Sequence, residues 1–287
     1  MRHKIKIVSL LTLLATVSVF LISCGTSEKK TGDKGDVSLV YVEWDTELAS
    51  TNVIGQVIES LGYNVTLTPL DNAIMWESIS KGEADAMVAA WLPNTSGAHY
   101  EKFEDKIDHL GVNLPSAQVG LVVPTYMDVD SIEDLDDQAK KTIVGIEPGA
   151  GVVMATERAL EDYPNLKDWT IDTSSSGVMT VALDQAIKNK EDIIVTGWSP
   201  HWKFAKHDLK YLEDPRQSFG GEESINTIAR LGLKEDMPEV HSVLSKFQWD
   251  QADMEEVMLQ INKGEDPDVA AKKWIEKNPE KVNSWLE

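Results

Sequence analysis

The most constraining feature of this sequence of 287 residues is a unit of three strands and two helices that occurs twice. Apolar runs predict the strands, and apolar residues at helical spacing predict the helices. In chain order, the elements predicted for the first copy are 37–44, 50–62, 63–70, 73–83 and 84–93. The second copy begins at Lys141 and follows the same order to Pro200. This duplicated β-α-β-α-β unit predicts an α/β fold of two lobes, each built on a parallel sheet.

Tryptophan residues stand just after predicted strands in both copies. Trp91 and Trp198 each end the last strand of their copy, and a proline comes two positions later. Trp44 ends the first strand of the chain. Because ligands bind at the carboxyl ends of parallel strands, we expect these three residues to line one cleft between the lobes. Strand-end tryptophans can instead cap the hydrophobic core. Packing in the core or at the surface is the prediction for Trp76, Trp169, Trp249, Trp274 and Trp285.

The chemistry of grouped indole rings narrows the ligand class. Their quadrupoles attract a cation that makes no hydrogen bonds, such as a quaternary ammonium group. Gly149 and Gly151 flank Ala150 just before a predicted helix that begins near Val152. Free N–H groups at a helix start suit a carboxylate, although such a glycine-rich turn also occurs without any ligand. Together the two features predict a zwitterion, with a methylated cation at one end and a carboxylate at the other.

The N-terminal segment predicts export and a lipid anchor. Basic residues precede an apolar run that ends at Ile22, as in a signal peptide covering residues 1–23. The stretch "LISC" fits the lipobox of bacterial lipoproteins, in which Cys24 is lipidated; the alternative is an ordinary secretory signal with an incidental cysteine. Because Cys24 is the single cysteine, no intramolecular disulfide is expected. Residues 24–36 are predicted to be a flexible tether, which places the protein on the extracytoplasmic face of the cell membrane.

Charge and apolar content exclude several partners. The formal charge of −21 repels nucleic acid and anionic lipid, so no nucleic-acid partner is expected. An acidic surface either favours cations or only keeps the protein soluble. After the signal segment no run approaches the roughly 20 apolar residues of a membrane span. The chain itself is therefore not expected to be a channel or permease.

No group of residues in the sequence predicts catalysis. Ser199 and His201 lie too close in an extended segment to serve as nucleophile and base, and no G-x-S-x-G elbow is present around 174–178. His201 and His207 lack a third ligand at metal-like spacing. We therefore expect a binding protein without catalytic residues, metal or cofactor. A surface lipoprotein enzyme and an adhesive or scaffolding lipoprotein are the alternative classes.

Four stretches resemble the glycine betaine-binding lipoproteins that serve osmoprotectant ABC importers. They are "VYVEWDTELASTNVIGQVIESLGY", "WESISKGEADAMVAAWLPN", "IVGIEPGAGVVMAT" and "IIVTGWSPHWKFAKHDLKYLEDP". The resemblance extends from about Val37 to Glu287 and implies a two-lobed, periplasmic-binding-protein-like fold. It implies capture of glycine betaine and delivery to a separate ABC transporter permease. Choline, carnitine and proline betaine are open alternatives, because all present a quaternary ammonium group.

The resemblance also implies a set of site residues. Trp44, Trp91 and Trp198 are expected to form a three-sided aromatic box around the trimethylammonium group. The backbone amides of Gly151 and Val152 are expected to hold the ligand carboxylate.

One position departs from the pattern of that family. The family motif "WLPNTH" places a histidine where this chain has Ser96, and His99 follows three residues later. If the segment becomes helical, both side chains lie on one face. We expect Ser96 to contact the carboxylate, with His99 as the alternative.

The lobes are predicted to be discontinuous in sequence. Lobe 1 is expected to contain residues 37–122 and 227–287, and lobe 2 residues 123–226, in a monomer. Closure about the two crossings would bury the ligand.

Overall fold

The structure, a computed structural model, describes residues 34–287. The predicted signal peptide, Cys24 and most of the tether lie outside the described residues, so the lipid anchor stays a prediction. The strands of the described range are β1 (Asp36–Tyr41), β2 (Asn64–Pro69), β3 (Ala86–Leu92), β4 (Ile107–Pro124), β5 (Thr142–Gly145), β6 (Thr170–Thr173), β7 (Ile194–Ser199), β8 (Leu209–Tyr211) and β9 (Glu223–Arg230). Its α-helices are α1 (Asp45–Ser60), α2 (Asn72–Lys81), α3 (Gly97–Phe103), α4 (Gly151–Asp162), α5 (Ser176–Asn189), α6 (Trp202–Lys206), α7 (Leu233–Asp236), α8 (Pro238–Lys246), α9 (Gln251–Asn262), α10 (Pro267–Lys277) and α11 (Pro279–Leu286). None of these helices is long and apolar enough to cross a membrane.

The predicted duplication is present in the strand order. In the first half, β1 lies between β2 and β3, and it is parallel to both. In the second half, β5 lies between β6 and β7 in the same parallel arrangement. The carboxyl ends of β3 and β7 are therefore equivalent positions in the two halves.

One long strand connects the two halves. β4 pairs antiparallel with β9 over Ile107–Ala117 and with β7 over Gln118–Val122. Since β9 also pairs with β3, the complete order is β2-β1-β3-β9-β4-β7-β5-β6, with β8 on β4. The sequence patterns above assign neither β4 nor β9 to a strand. β4 is irregular, because its register against β9 shifts at three places and Gly111 has a φ of +117°.

The helices that follow β9 pack on the first half of the chain. α9 and α10 contact α1, and α8 contacts β4 and β9. Their core is an aromatic cluster with ring centroids 5.0 to 6.0 Å apart, formed by Phe247, Trp249, Trp274 and Trp285. Trp76 and Trp169 are buried as well. The packing role predicted for these five tryptophans is confirmed.

Helix α1 begins earlier than the sequence predicts. It starts at Asp45 rather than at Ser50, and Trp44 is the extended residue before it, with φ −88° and ψ 154°. Asp45 and Glu47 lie in the first turn, where carboxylates stabilise the positive end of the helix dipole. Trp44 is therefore held at the start of a helix rather than at the end of β1.

Candidate ligand-binding site

Three tryptophans wall one cavity between the two halves. Trp44, Trp91 and Trp198 are exposed by only 6%, 2% and 4%. They border about 290 Å³ of space between atoms, part of which is open to solvent. The other lining residues are Thr95, Val119, Ile146, Ala150, Gly151 and Val152. The structure thus brings together the three predicted tryptophans and both residues of the predicted amide pair.

The ends of secondary-structure elements place these rings. Trp91 is the penultimate residue of β3, and Trp198 is the penultimate residue of β7. The peptide bonds that follow, Leu92–Pro93 and Ser199–Pro200, are both cis. Trp44 is the N-cap residue of α1. The duplicated pattern accordingly puts two of the three walls at the same position of their sheets.

Carboxylates accept hydrogen bonds from the indole N–H groups of two walls. Trp91 Nε1 donates to Glu47 Oε1 at 2.9 Å, and Trp44 Nε1 donates to Glu147 Oε1 at 2.5 Å. The Thr46 hydroxyl donates to the other oxygen of Glu47. Burial raises the pKa of Glu47 to about 7, although the hydrogen bonds from Thr46 and Trp91 oppose the increase. Both rings are thereby fixed in orientation by an acidic side chain.

The third wall is supported differently. Trp198 Nε1 is buried and has no hydrogen-bond partner among the described residues. Behind the ring lies Lys203, whose Nζ is 4.3 Å from the ring centroid and donates to the Trp198 carbonyl at 3.3 Å. His201 meets the same ring edge-on, with centroids 4.7 Å apart. Burial lowers the pKa of Lys203 well below its usual range, and burial is the main cause that lowers the pKa of His201 to about 4.

Asp45 links the start of α1 to the second half of the chain. Its carboxylate accepts hydrogen bonds from Trp202 Nε1 at 2.6 Å and from the Ser176 hydroxyl at 2.8 Å. His201 Nε2 lies 3.4 Å from Asp45 Oδ2. Burial alone would raise the pKa of Asp45, but the close approach of His201 and the hydrogen bonds from Trp202 and Ser176 hold it well below the usual range. Asp45 is therefore an anionic contact between the two halves, one residue away from the wall formed by Trp44.

The start of α4 forms another side of the cavity. Gly151 is the first residue of α4, and the N-cap residue Ala150 makes no side-chain cap. The first N–H groups of a helix lack partners within the helix and carry partial positive charge. A Cβ added to Gly151 would lie 2.3 Å from Thr95 Cγ2 and 2.5 Å from the Thr95 carbonyl oxygen. Only glycine permits this close approach between the loop after β3 and the start of α4.

Glu223 fixes the loop that carries Thr95. This side chain is 3% exposed and accepts hydrogen bonds from the backbone N–H of Asn94 at 2.7 Å and of Thr95 at 2.5 Å. It also accepts a hydrogen bond from the Thr95 hydroxyl at 2.5 Å. The first residue of β9 thus sets the position of Thr95 in the cavity wall.

Ser96 and His99, the other two predicted contacts, do not line the cavity. Ser96 is the N-cap residue of α3, and its backbone N–H donates to the Trp91 carbonyl at 2.8 Å. His99 stacks on the ring of Trp76 with centroids 6.0 Å apart. From this segment, Thr95 is the residue that lines the cavity. The predicted contact of Ser96 or His99 with a ligand therefore has no support in this geometry.

Comparison with protein families gives a match over residues 35–277. The matching family is described as the substrate-binding domain of the ABC-type glycine betaine transport system. The chain belongs to this family. Its members are substrate-binding components of transporters, which agrees with a cavity bordered by three tryptophans and by residues at the start of α4.

One sequence relative is the glycine betaine/carnitine transport binding protein GbuC of Listeria monocytogenes. The two chains are 50% identical over 165 residues, which are 57% of this chain and 55% of that protein. The chain therefore spans about half the length of this curated relative.

Solved structures of related proteins have the same fold. The structure resembles lactococcal OpuAC in its closed-liganded conformation complexed with glycine betaine, with a TM-score of 0.86 and 54% identity over 88% of this chain and 100% of the other. It also resembles an ABC-transporter choline-binding protein in complex with choline, with a TM-score of 0.82 and 26% identity over 88% of this chain and 91% of the other. These likenesses confirm the predicted two-lobed, periplasmic-binding-protein-like fold.

Four residues that support the cavity of this family member were not identified from the sequence. They are Asp45, Glu47, Glu147 and Lys203. The only sequence signal for the first two is the motif "WDTE", in which carboxylates directly follow a wall tryptophan. Glu147 and Lys203 give no such signal. Only the fold brings Glu147 to the ring of Trp44 and Lys203 to the ring of Trp198.

Proposed function

We propose that this chain is the extracytoplasmic substrate-binding protein of an ABC importer, and that it captures glycine betaine or a related quaternary ammonium osmoprotectant. The observation that carries the proposal is the meeting of three tryptophan rings and the start of α4 in one cavity. A cation is attracted by the rings and an anion by the helix amides, so the cavity is complementary to a zwitterion. Family membership and the likeness to the betaine-bound lactococcal structure support the same ligand.

The tryptophan walls suit the methylated end of the ligand. A trimethylammonium group has no N–H to donate, so an aromatic face replaces water better than a hydrogen-bond acceptor does. Glu47 and Glu147 accept hydrogen bonds from the indole N–H groups of two of the rings and so hold the ring faces in place. We propose that Trp44, Trp91 and Trp198 form the aromatic box.

The start of α4 suits the carboxylate end. We propose that the backbone N–H groups of Gly151 and Val152 donate to it, as the first N–H groups of a helix have no partner within the helix. The Thr95 methyl and backbone close this end of the cavity, since its hydroxyl is already bonded to Glu223. On this geometry Ser96→Ala and His99→Ala should change betaine affinity by less than about threefold, well below the loss of a charged hydrogen bond.

Choline is the second candidate ligand, because it has the same cation and because a choline-binding protein shares the fold. It lacks a carboxylate, so it would leave the start of α4 without an anionic partner. Carnitine and proline betaine retain both charges and differ in size. An enzymatic role has less support: the Ser199 hydroxyl is bonded to the Tyr211 hydroxyl at 2.8 Å, while His201 contacts Asp45 rather than Ser199.

Membrane attachment and lobe closure complete the proposal. We propose a monomer anchored through lipidated Cys24 by the tether 24–36, which delivers its ligand to a separate permease. The proposed lobes are 37–122 with 227–287, and 123–226. The change of β4 from pairing with β9 to pairing with β7 after Ala117 supports a crossing in this strand and favours a position a few residues before the predicted one.

Calorimetric titration of the tag-free protein with glycine betaine, proline betaine, carnitine and choline tests the proposal. Glycine betaine should bind at least about tenfold more tightly than choline, because a charged hydrogen bond is worth about 1.5 to 3 kcal/mol. Trp44→Ala, Trp91→Ala and Trp198→Ala should each weaken betaine binding by about ten- to a hundredfold. Trp249→Phe, in the distant aromatic cluster, is the matched control and should bind normally. Absence of betaine binding, or equal binding by all four variants, would contradict the proposal.

A further inference from the structure

Lys203 is a fully buried lysine with no acidic partner among the described residues. It lies in the short helix α6, is 0% exposed, and forms no ion pair with any residue of that range. Its Nζ lies between two aromatic rings, 4.3 Å from the centroid of Trp198 and 5.2 Å from that of Phe204. The polar contact of this amine is the Trp198 carbonyl at 3.3 Å.

Such surroundings favour the uncharged amine. An unpaired ammonium group loses its hydration on burial and regains little of it from one carbonyl and two ring faces. The lowered pKa of Lys203 has this cause. The side chain then acts as a long apolar stem that fills the space behind Trp198 and ends in a single hydrogen bond.

The ring of Trp198 separates Lys203 from the ligand cavity. Trp198 lines that cavity, whereas Lys203 does not. Trp198 Nε1 has no described acceptor, unlike the indole N–H groups of Trp44 and Trp91. The position of this wall consequently depends on the groups packed behind the ring, which are Lys203 and the edge of His201.

A proton on Lys203 would act directly on a cation held by the box. The ammonium group would compete for the π electrons of the same indole ring, and it would place a like charge about 8 to 10 Å from the ligand cation. At an effective dielectric constant of about 20, that repulsion corresponds to about a tenfold or greater loss of affinity.

Building on the proposed betaine-binding function, we propose that Lys203 is a positioning residue of the aromatic box. As an uncharged amine it holds Trp198 in place, and on gaining a proton it weakens the binding of a quaternary ammonium ligand. Affinity for betaine is thereby linked to pH through a residue that never touches the ligand.

Other titratable groups near this lysine must be separated from it. His201 and Asp45 are its titratable neighbours, and Glu47 supports another wall of the box. Helix α9, which packs against α6, carries three carboxylates. Of these, Asp253 and Glu256 pair with Lys281 and Lys277, and Glu255 is half-buried. All of them remain when Lys203 alone is replaced, so a pH dependence that belongs to them appears in wild type and variant alike. The difference between the two profiles reports Lys203 together with its charge coupling to His201.

Calorimetric titration with glycine betaine from pH 5 to pH 9 tests the proposal on the wild type, Lys203→Met and Lys203→Ala. Met fills the same volume but takes no proton. At pH 9 Lys203→Met should bind within about threefold of the wild type, and at pH 5 about tenfold more tightly. Lys203→Ala leaves a void behind Trp198 and should bind about tenfold more weakly than Lys203→Met at every pH. Thermal unfolding of each variant shows whether it is folded at the pH of the titration.

Three outcomes would overturn the proposal. They are parallel pH profiles of wild type and Lys203→Met, a wild-type affinity that does not change between pH 5 and pH 9, and a tenfold loss in Lys203→Met at pH 9. Trp198→Ala, titrated beside them, separates this result from the proposed function. If Trp198→Ala binds betaine as the wild type does, the aromatic box itself is wrong, whatever the lysine variants show.

Discussion

Two walls of the cavity differ from the third in how their rings are held. Trp44 and Trp91 donate their indole N–H groups to Glu147 and Glu47, so acidic side chains fix both rings. Trp198 has no acceptor in the described part of the chain and rests on a buried lysine. The difference shows that sequence duplication reproduces the position of a residue in a sheet, while the groups that orient its ring come from other elements and have diverged.

The largest expected effect concerns Asp45, which joins the segment of the first wall to that of the third. Asp45→Ala removes the acceptor of Trp202 and Ser176, and leaves both buried donors without a partner. Each such loss costs about 1 to 3 kcal/mol, so betaine affinity in a calorimetric titration should fall by about ten- to a hundredfold.

Asp184→Ala is the matched control for this prediction. Asp184 pairs with Lys206 and His207, and all three residues lie in the second half of the chain. Its removal should leave affinity unchanged. If Asp45→Ala bound betaine as tightly as Asp184→Ala, the contact between the halves would have no part in holding the ligand.

Phenylalanine substitutions test the comparison of the walls directly. Trp91→Phe keeps an aromatic face but leaves Glu47 without its indole donor, so betaine affinity should fall by about tenfold. Trp198→Phe removes an N–H that has no described partner. Betaine affinity should therefore fall by only about threefold, because the smaller ring has a weaker quadrupole. Equal losses in parallel titrations would show that the N–H anchors do not matter.

The smallest expected effect is a pH dependence of stability that belongs to Glu47 alone. Its pKa in the folded protein is raised to about 7, so the folded state holds a proton that the unfolded state has released. The stability from this group is complete below the unfolded pKa and is lost as pH rises through the folded pKa. Between pH 6 and pH 8 the free energy of unfolding should fall by about 1 kcal/mol.

Glu47→Gln removes this titration while keeping an oxygen that can accept the Trp91 N–H. Urea denaturation at pH 6 and pH 8 measures the free energy of unfolding at each pH. Its decrease between the two pH values should be smaller in Glu47→Gln than in the wild type by about 1 kcal/mol. An identical loss in both proteins would assign the pH dependence to other groups.

Sequence periodicity predicted those helices and strands in which apolar residues recur at a regular spacing. The parallel units of both halves, and the tryptophans at the ends of β3 and β7, follow from regular patterns. β4 has no such pattern, because Gly111, Pro115 and repeated register shifts interrupt its alternation. The start of α1 was placed too late, since Trp44 continues an apolar run that resembles a strand.

The site was predictable only where a residue type has one dominant use. Three tryptophans that follow predicted strands were enough to predict that their rings border one cavity. A lysine such as Lys203 is ordinarily expected at the surface. Thr95 was missed in favour of Ser96, because the family motif does not show which residue of the loop Glu223 holds toward the cavity. The position of Thr95 depends on its contact with Glu223, 128 positions away in the sequence. The spacing of apolar residues carries no information about such a contact.

The placement of β9 also has a consequence for how the chain folds. β9 lies between β3 and β4, so the sheet of the first half lacks an inner strand until β9 is in place. The sheet of the first copy is therefore incomplete without β9, and a fragment ending after β7 exposes the unpaired edges of β3 and β4. A chain cut short before β9 therefore presents two open strand edges, and such edges are a template for pairing with another copy of the chain.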